Sequence, residues 1–208
     1  MSHRYADVAF TPAVQDRQAW YGSRELCARL QASAGPNDSL GERERAFLAR
    51  ADSLYLATVS ETGWPYVQHR GGPSGFVSVI SETRIAFADF RGNRQYVSVG
   101  NAARDARASI IVVDYTEGRR LKLFGRLCFI DLARADPALV RRVEPPATHR
   151  ARVERVAQFD VAAFDWNCPQ HIPQRFSAAQ MADIARPLRE RIDTLERRLR
   201  DAGIAGLD

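Results

Sequence analysis

Four stretches of this 208-residue chain gather side chains that can do chemistry. In FADFRGNRQY (87–96) a strand-like start runs into Arg91-Gly92-Asn93-Arg94-Gln95. A strand end, a Gly-Asn pair and a helical turn together aim several backbone N–H groups at one point. Gly92 permits the backbone conformation such a cradle needs, and the helix start adds partial positive charge. Arg94 adds a planar donor fork suited to phosphate oxygens. An ordinary surface turn uses the same residues, and the stretch alone leaves both readings open.

WPYVQHRGGPSGF (64–76) has strand character up to Arg70 and then a loop loosened by three glycines. Gln68, His69 and Arg70 supply donors and an acceptor where that strand emerges, and the glycines let a flat ligand approach the backbone. His69 alone reads equally as a surface residue. RRLKLFGR (119–126) alternates Arg120, Lys122, Phe124 and Arg126 with apolar neighbours, so one face of a strand is cationic and the other apolar. Lys122 is the single lysine of the chain. DWNCPQH (165–171) offers Cys168 and His171, two metal-ligating types without a matching pair elsewhere, so no metal site is expected. Trp166 and Asn167 read instead as packing in a fixed loop.

These residues need elements to hold them. Thr11-Pro12 opens a helix expected to run to about Ala32 and to bury Val14, Trp20, Leu26 and Leu30. Ser39 with Glu42 has capping-box spacing for a second short helix carrying Phe47 and Leu48. From Ser53 the chain turns to β-branched and aromatic runs separated by glycine-bearing turns: SLYLATVS, WPYVQHR, GFVSVIS, RIAFADF, ARASIIVVDY and RRLKLFGRLCFID. A short helical piece at Gln95–Gly100 interrupts them. Five or six closely spaced strands predict a mainly antiparallel sheet or small barrel, an α+β fold that is mainly β. A helix follows at Pro137–Val143, and VERVAQFDVAAFD reads as a further strand. Ser177 opens a last helix whose Met181, Ile184, Leu188, Ile192, Leu195 and Leu199 make one apolar stripe, with Pro187 expected to kink or restart it. The expected organisation is one domain over 1–208, with N-terminal helices at 11–51, the β core at 53–131 and a C-terminal extension at 132–208.

Three dispersed cysteines give no disulfide framework. No apolar run is long enough to span a membrane, and the N-terminus lacks a signal-peptide core, so a cytoplasmic protein is expected. A net charge of +5 raises nucleic-acid binding, but the arginines alternate with acids, as in RERIDTLERRLRD, and no nucleic-acid motif accompanies them.

In their order and spacing, LATVSETGWPY (56–66), FADFRGNRQ (87–95) and RRLKLFGR resemble the pyridoxamine 5′-phosphate oxidase-like, FMN-binding split-barrel family, most clearly over Ser53–Asp131. The N-terminal TPAVQDRQAWYGSRE and AFDWNCPQHI look like a bacterial subgroup of it. The resemblance implies a split β-barrel of antiparallel strands with flanking helices. It places Gln68, His69 and Arg70 on the strand lining the flavin, and Ala88 and Asp89 at a strand end presented to it. Asn93, Arg94 and Gln95 match the phosphate motif, with Gln95 in place of the usual lysine. Arg120 falls at a flavin-contacting position with Lys122 two residues further on, and the loop of Trp166 and Asn167 is expected close to the flavin.

The resemblance further implies FMN as cofactor, a homodimer with the flavin site between subunits, and a small-molecule substrate, with neither nucleic acid nor membrane as partner. The expected activity is hydride transfer between an organic substrate or reduced nicotinamide and flavin N5, with oxygen or another acceptor reoxidising the flavin. His69 is then the candidate proton-transferring residue. Arg70 stands where the named oxidase has a lysine, and its C-terminal Arg-x-His signature is absent, so vitamin B6 oxidation is not expected. The alternative is a non-catalytic flavin, deazaflavin or haem binding module.

Overall fold

The computed structural model describes residues 3–33, 35–166 and 170–203. The first unit opens with three short helices, α1 (Arg4–Ala9), α2 (Pro12–Trp20) and α3 (Arg24–Ser33), then α4 (Glu42–Leu48). The strands are β1 (Ser53–Val59), β2 (Pro65–Gly71), β3 (Ser78–Ser81), β4 (Arg84–Phe90), β5 (Arg107–Asp114), β6 (Arg119–Asp131) and β7 (Val153–Trp166). Helix α5 (Val97–Arg104) lies between β4 and β5, and α6 (Pro137–Val143) between β6 and β7.

All strand pairs are antiparallel, in the order β2-β1-β5-β6-β7-β4-β3. In a flat sheet β2 and β4, five places apart in that order, would be roughly 24 Å apart. Yet Arg70 of β2 reaches Asp89 of β4 at 2.6 Å. The sheet therefore curls until its two ends meet, with β2 and β3 left unpaired along the opening: a split barrel. Its inner face carries Leu54, Leu56, Ile85, Phe87, Ile110, Leu121, Leu123 and Phe159, all fully buried in one cluster that α4 caps with Phe47 and Leu48. Gly125, at the register shift between β6 and β7, has no room for a side chain, since a Cβ there would lie 2.2 Å from the Asp160 carbonyl.

The strand expectations match the structure closely. The N-terminal helices do not. The expected helix over 11–32 is broken at Gly22, whose φ of +74° turns the chain before α3 begins. Its apolar side chains are not buried: Trp20 is 77% and Leu26 67% exposed, with Val14 and Leu30 exposed too. Val14 and Trp20 fall on different faces of α2, so no stripe forms. The cap of α4 is Gly41, not Ser39. The Glu44 carboxylate accepts from the Gly41 N–H at 3.0 Å, while the Ser39 hydroxyl donates to Glu82.

A second unit comprises the turn at 115–118 and the C-terminal segment from Gln170, with its helix α7 (Ala178–Asp201). Within it the Arg175 guanidinium lies 4.6 Å over the Tyr115 ring, and the Thr116 hydroxyl donates to the Arg175 carbonyl. Ser177 caps α7 as expected, its hydroxyl accepting from the Gln180 N–H while Gln180 accepts from the Ser177 N–H. Pro187 does not end or restart the helix, which is continuous through it. No helix among the described residues is long and apolar enough to cross a membrane.

Candidate functional site

Period-two alternation along β2 sends Gln68 and Arg70 to the inner face, opposite Leu56 and Leu54 of β1. On β4, Asp89 follows the buried Phe87 on the same inner face, and its cross-strand partner on β7 is Arg155. At the mouth of the barrel these side chains meet. Arg70 Nη1 donates to Asp89 Oδ1 at 2.6 Å, and Arg155 Nε donates to Asp89 Oδ2 at 2.8 Å. Asp89 is 2% exposed, and the two arginine side chains are 16% and 14% exposed. One buried carboxylate thus holds two guanidinia in fixed positions. Burial works against the Arg155 charge, but the hydrogen bond and charge of Asp89, with help from Glu154 at 3.0 Å, outweigh it and raise its pKa.

After β4 the chain makes the turn into α5. Asn93 Oδ1 accepts from the Gln95 N–H at 3.1 Å, closing an Asx turn. Arg94 and Tyr96 both adopt left-handed backbone, with φ of 63° and 54°. Each such non-glycine residue costs about 1–2 kcal/mol, and two within three residues mark a backbone held for a purpose. Tyr96 is the N-cap of α5 and gives it no side-chain cap. Its ring lies 4.8 Å from the Arg155 guanidinium. The helix dipole and its first N–H groups therefore stand beside the arginines.

A cleft of about 40 Å³ is lined by these groups, among them Gln68, Arg70, Asp89, Asn93, Arg94 and Arg155. Three guanidinia face one carboxylate in its lining. Arg70 Nε is buried with no hydrogen-bond partner among the described residues. An unpartnered buried donor costs about 1–3 kcal/mol unless something accepts from it. The arrangement suits an oxyanion, and a phosphate monoester, with a charge of about −1.5 to −2, matches its surplus.

The structure thus brings Gln68, Arg70, Asp89, Asn93 and Arg94 together and does not bring the other expected residues to them. His69 lies on the outer face of β2, its ring edge-on to Tyr55 at 5.6 Å. Ala88 is turned the opposite way from Asp89 and packs with Ala86, Val143 and Val156. The Gln95 side chain is exposed and not in the cleft lining. Arg120 and Lys122 alternate with the buried Leu121 and Leu123, so they occupy the outer face of β6. There Lys122 is engaged by Asp165 at 3.0 Å and sits 4.7 Å over the Tyr5 ring of α1. Trp166 donates to Glu44 at 2.7 Å, packs edge-on against Phe47 and carries the Arg43 guanidinium over its ring, so α4 holds it. Asn167 and Cys168 lie outside the described residues.

Arg155 and Tyr96 were missed in the sequence. Arg155 carries no local signal: beside Glu154 in VERVAQF it reads as an ordinary strand position, and only the pairing with β4 sets it against Asp89.

Residues 40–164 match the pyridoxamine 5′-phosphate oxidase family, more than half of the chain. The chain belongs to that family. Comparison with curated proteins finds no match. Among solved structures, HupZ of Group A Streptococcus is 14% identical, with 66% of this chain covering 100% of that one at a TM-score of 0.48. An FMN-binding protein from Syntrophomonas wolfei is 15% identical over 75% of this chain and 95% of that one, at 0.45. A protein of the pyridoxinephosphate oxidase family related to general stress protein 26, from Clostridium acetobutylicum, is 12% identical over 66% and 93%, at 0.43. In this member of the oxidase family the cleft is assembled from inner-face residues of three strands and the turn before α5.

Proposed function

We propose that the chain is an FMN-dependent oxidoreductase whose arginine cleft holds the cofactor's phosphate. The observation that carries this reading is the buried Asp89 fixing Arg70 and Arg155 beside the left-handed turn at Arg94–Tyr96, in a chain of the oxidase family. Arg70 Nε, Arg155, Arg94 and the first N–H groups of α5 are the donors. FMN, when bound, supplies hydride and electron transfer between a small organic substrate or reduced nicotinamide and an acceptor. The protein supplies position and positive charge. About 40 Å³ is roughly three times what one water needs, the scale of a phosphate and not of a three-ring system. The rest of the cofactor needs surface beyond this lining, which a homodimer would provide.

A second reading, a flavin-binding module without turnover, is favoured by the place of His69: the expected proton-transferring residue lies on the outer face of β2 against Tyr55, turned away from the cleft. Anaerobic mixing of the FMN-loaded protein with reduced nicotinamide or candidate organic donors separates the readings. Bleaching of the flavin band with catalytic turnover on readmitting oxygen supports the enzyme. Tight FMN binding without donor-dependent bleaching supports the module, and failure to bind FMN overturns both.

A further inference from the structure

The C-terminal helix carries more order than an apolar stripe. Met181, Ala185, Leu188, Ile192, Leu195 and Leu199 follow one another at steps of four, three, four, three and four, an unbroken a/d heptad seam. Its large members, Met181, Leu188, Ile192, Leu195 and Leu199, are all exposed. Ile192 at an a position between Leu188 and Leu195 at d positions is the pattern that favours two parallel strands. Pro187 falls at c, away from the seam, so its ring is compatible with pairing.

The flanking charges choose both the partner and its direction. Arg191 is at g and Glu196 at e, five residues on, the spacing at which g of one strand meets e of the other in a parallel pair. Twofold symmetry makes that attraction twice. An antiparallel pair with a opposite d would be centred between Leu188 and Ile192. It would set the two copies of Arg191 against each other, and likewise the two copies of Arg189, which like-charge repulsion disfavours.

We propose that α7 pairs with α7 of a second copy of this chain as a parallel two-stranded coiled coil. The seam, the exposure of its large residues and the self-complementary Arg191–Glu196 spacing carry it, and it does not rest on the flavin reading.

Disulfide trapping in the full-length protein tests it. With Cys27, Cys128 and Cys168 replaced by serine, Leu195→Cys places one thiol at a d position. In a parallel pair the two copies face each other within disulfide reach. Mild oxidation is expected to convert Leu195→Cys to a covalent dimer. Asp193→Cys, at the b position on the side away from the seam, is the control and is expected to cross-link much more slowly. Adding Arg191→Glu to Leu195→Cys should slow trapping about fivefold, and adding Glu196→Arg as well should restore it.

Three outcomes overturn the proposal. One is no preference for position 195 over position 193. Another is cross-linking that requires mixing Leu195→Cys with Ala185→Cys, the signature of an antiparallel pair. The third is trapping indifferent to Arg191→Glu. FMN binding measured on the same variants is expected to be unchanged, so failure here and failure of the cofactor reading are told apart.

Discussion

Arg70 and His69 are neighbours in β2 with similar claims to chemistry, and the barrel sends them to opposite faces. On the inner face, Arg70 joins Arg155 and Asp89 in a buried, preorganised cluster at the barrel mouth. On the outer face, His69 meets Tyr55, and further along the sheet Lys122 is taken up by Asp165 and Tyr5. Both faces hold cations, but they differ in what surrounds the charge. Inside, two guanidinia share one carboxylate, and Arg70 keeps a donor unmet among the described residues. Outside, the lone lysine is met by both a carboxylate and an aromatic ring. A cation becomes a binding group when the fold holds it in place and leaves part of its valence open.

The largest test of that contrast is removal of the central carboxylate. Asp89→Ala leaves two arginines buried and opposed, and is expected to cost about 3–5 kcal/mol in urea unfolding. Asp165→Ala on the outer face, where the pair is a quarter exposed, should cost about 1 kcal/mol or less. Equal losses would erase the distinction between the faces. Next in size, Arg155→Met should weaken FMN binding about tenfold or more, the scale of a lost charge-assisted hydrogen bond. Lys122→Met should change it by less than about threefold. For Arg94 the informative variant is Arg94→Asn, since asparagine tolerates the left-handed backbone and loses only the guanidinium.

The smallest effect belongs to a third kind of ion pair, Asp105 with Arg107, in which the arginine is 80% and the aspartate 31% exposed. Hydrogen bonds from the Arg107 side chain, then from its backbone, lower the Asp105 pKa to about 2. A carboxylate depressed in the folded state stabilises above its ordinary range and loses that contribution only as pH falls through the folded value. The Asp105 carboxyl resonance should therefore titrate near pH 2. Asp105→Asn should therefore lower the neutral-pH unfolding midpoint only slightly, because Arg107 is largely in solvent and the pair is screened.

The strands were legible because alternation and turn residues state them locally; Gln68, Arg70, Asn93 and Arg94 follow from that reading, whereas Asp89 enters only with the family resemblance. Facing was less legible. The alternation that puts Arg70 inside puts His69 outside, yet which parity faces the core emerges only once Leu54 and Leu56 are paired opposite Arg70 and Gln68. Arg155 was invisible because its role depends on the β4–β7 register, a long-range pairing with no local signature. Tyr96 was missed because a bulky residue at positive φ contradicts local preference and is sustained by its surroundings. Lys122 is assigned to the cofactor by the family resemblance and Trp166 as part of a loop beside it, whereas α1 and α4, elements that pack on them from far away in sequence, occupy them.

The most direct measurement is a pair of calorimetric titrations of the wild-type protein, one with FMN and one with riboflavin, which differ by the phosphate alone. The account predicts that FMN binds at least about tenfold more tightly, the scale of one charge-assisted contact, and that Arg155→Met removes most of the difference. Equal affinity for the two, or no binding of FMN, would contradict the arginine cleft as a phosphate site.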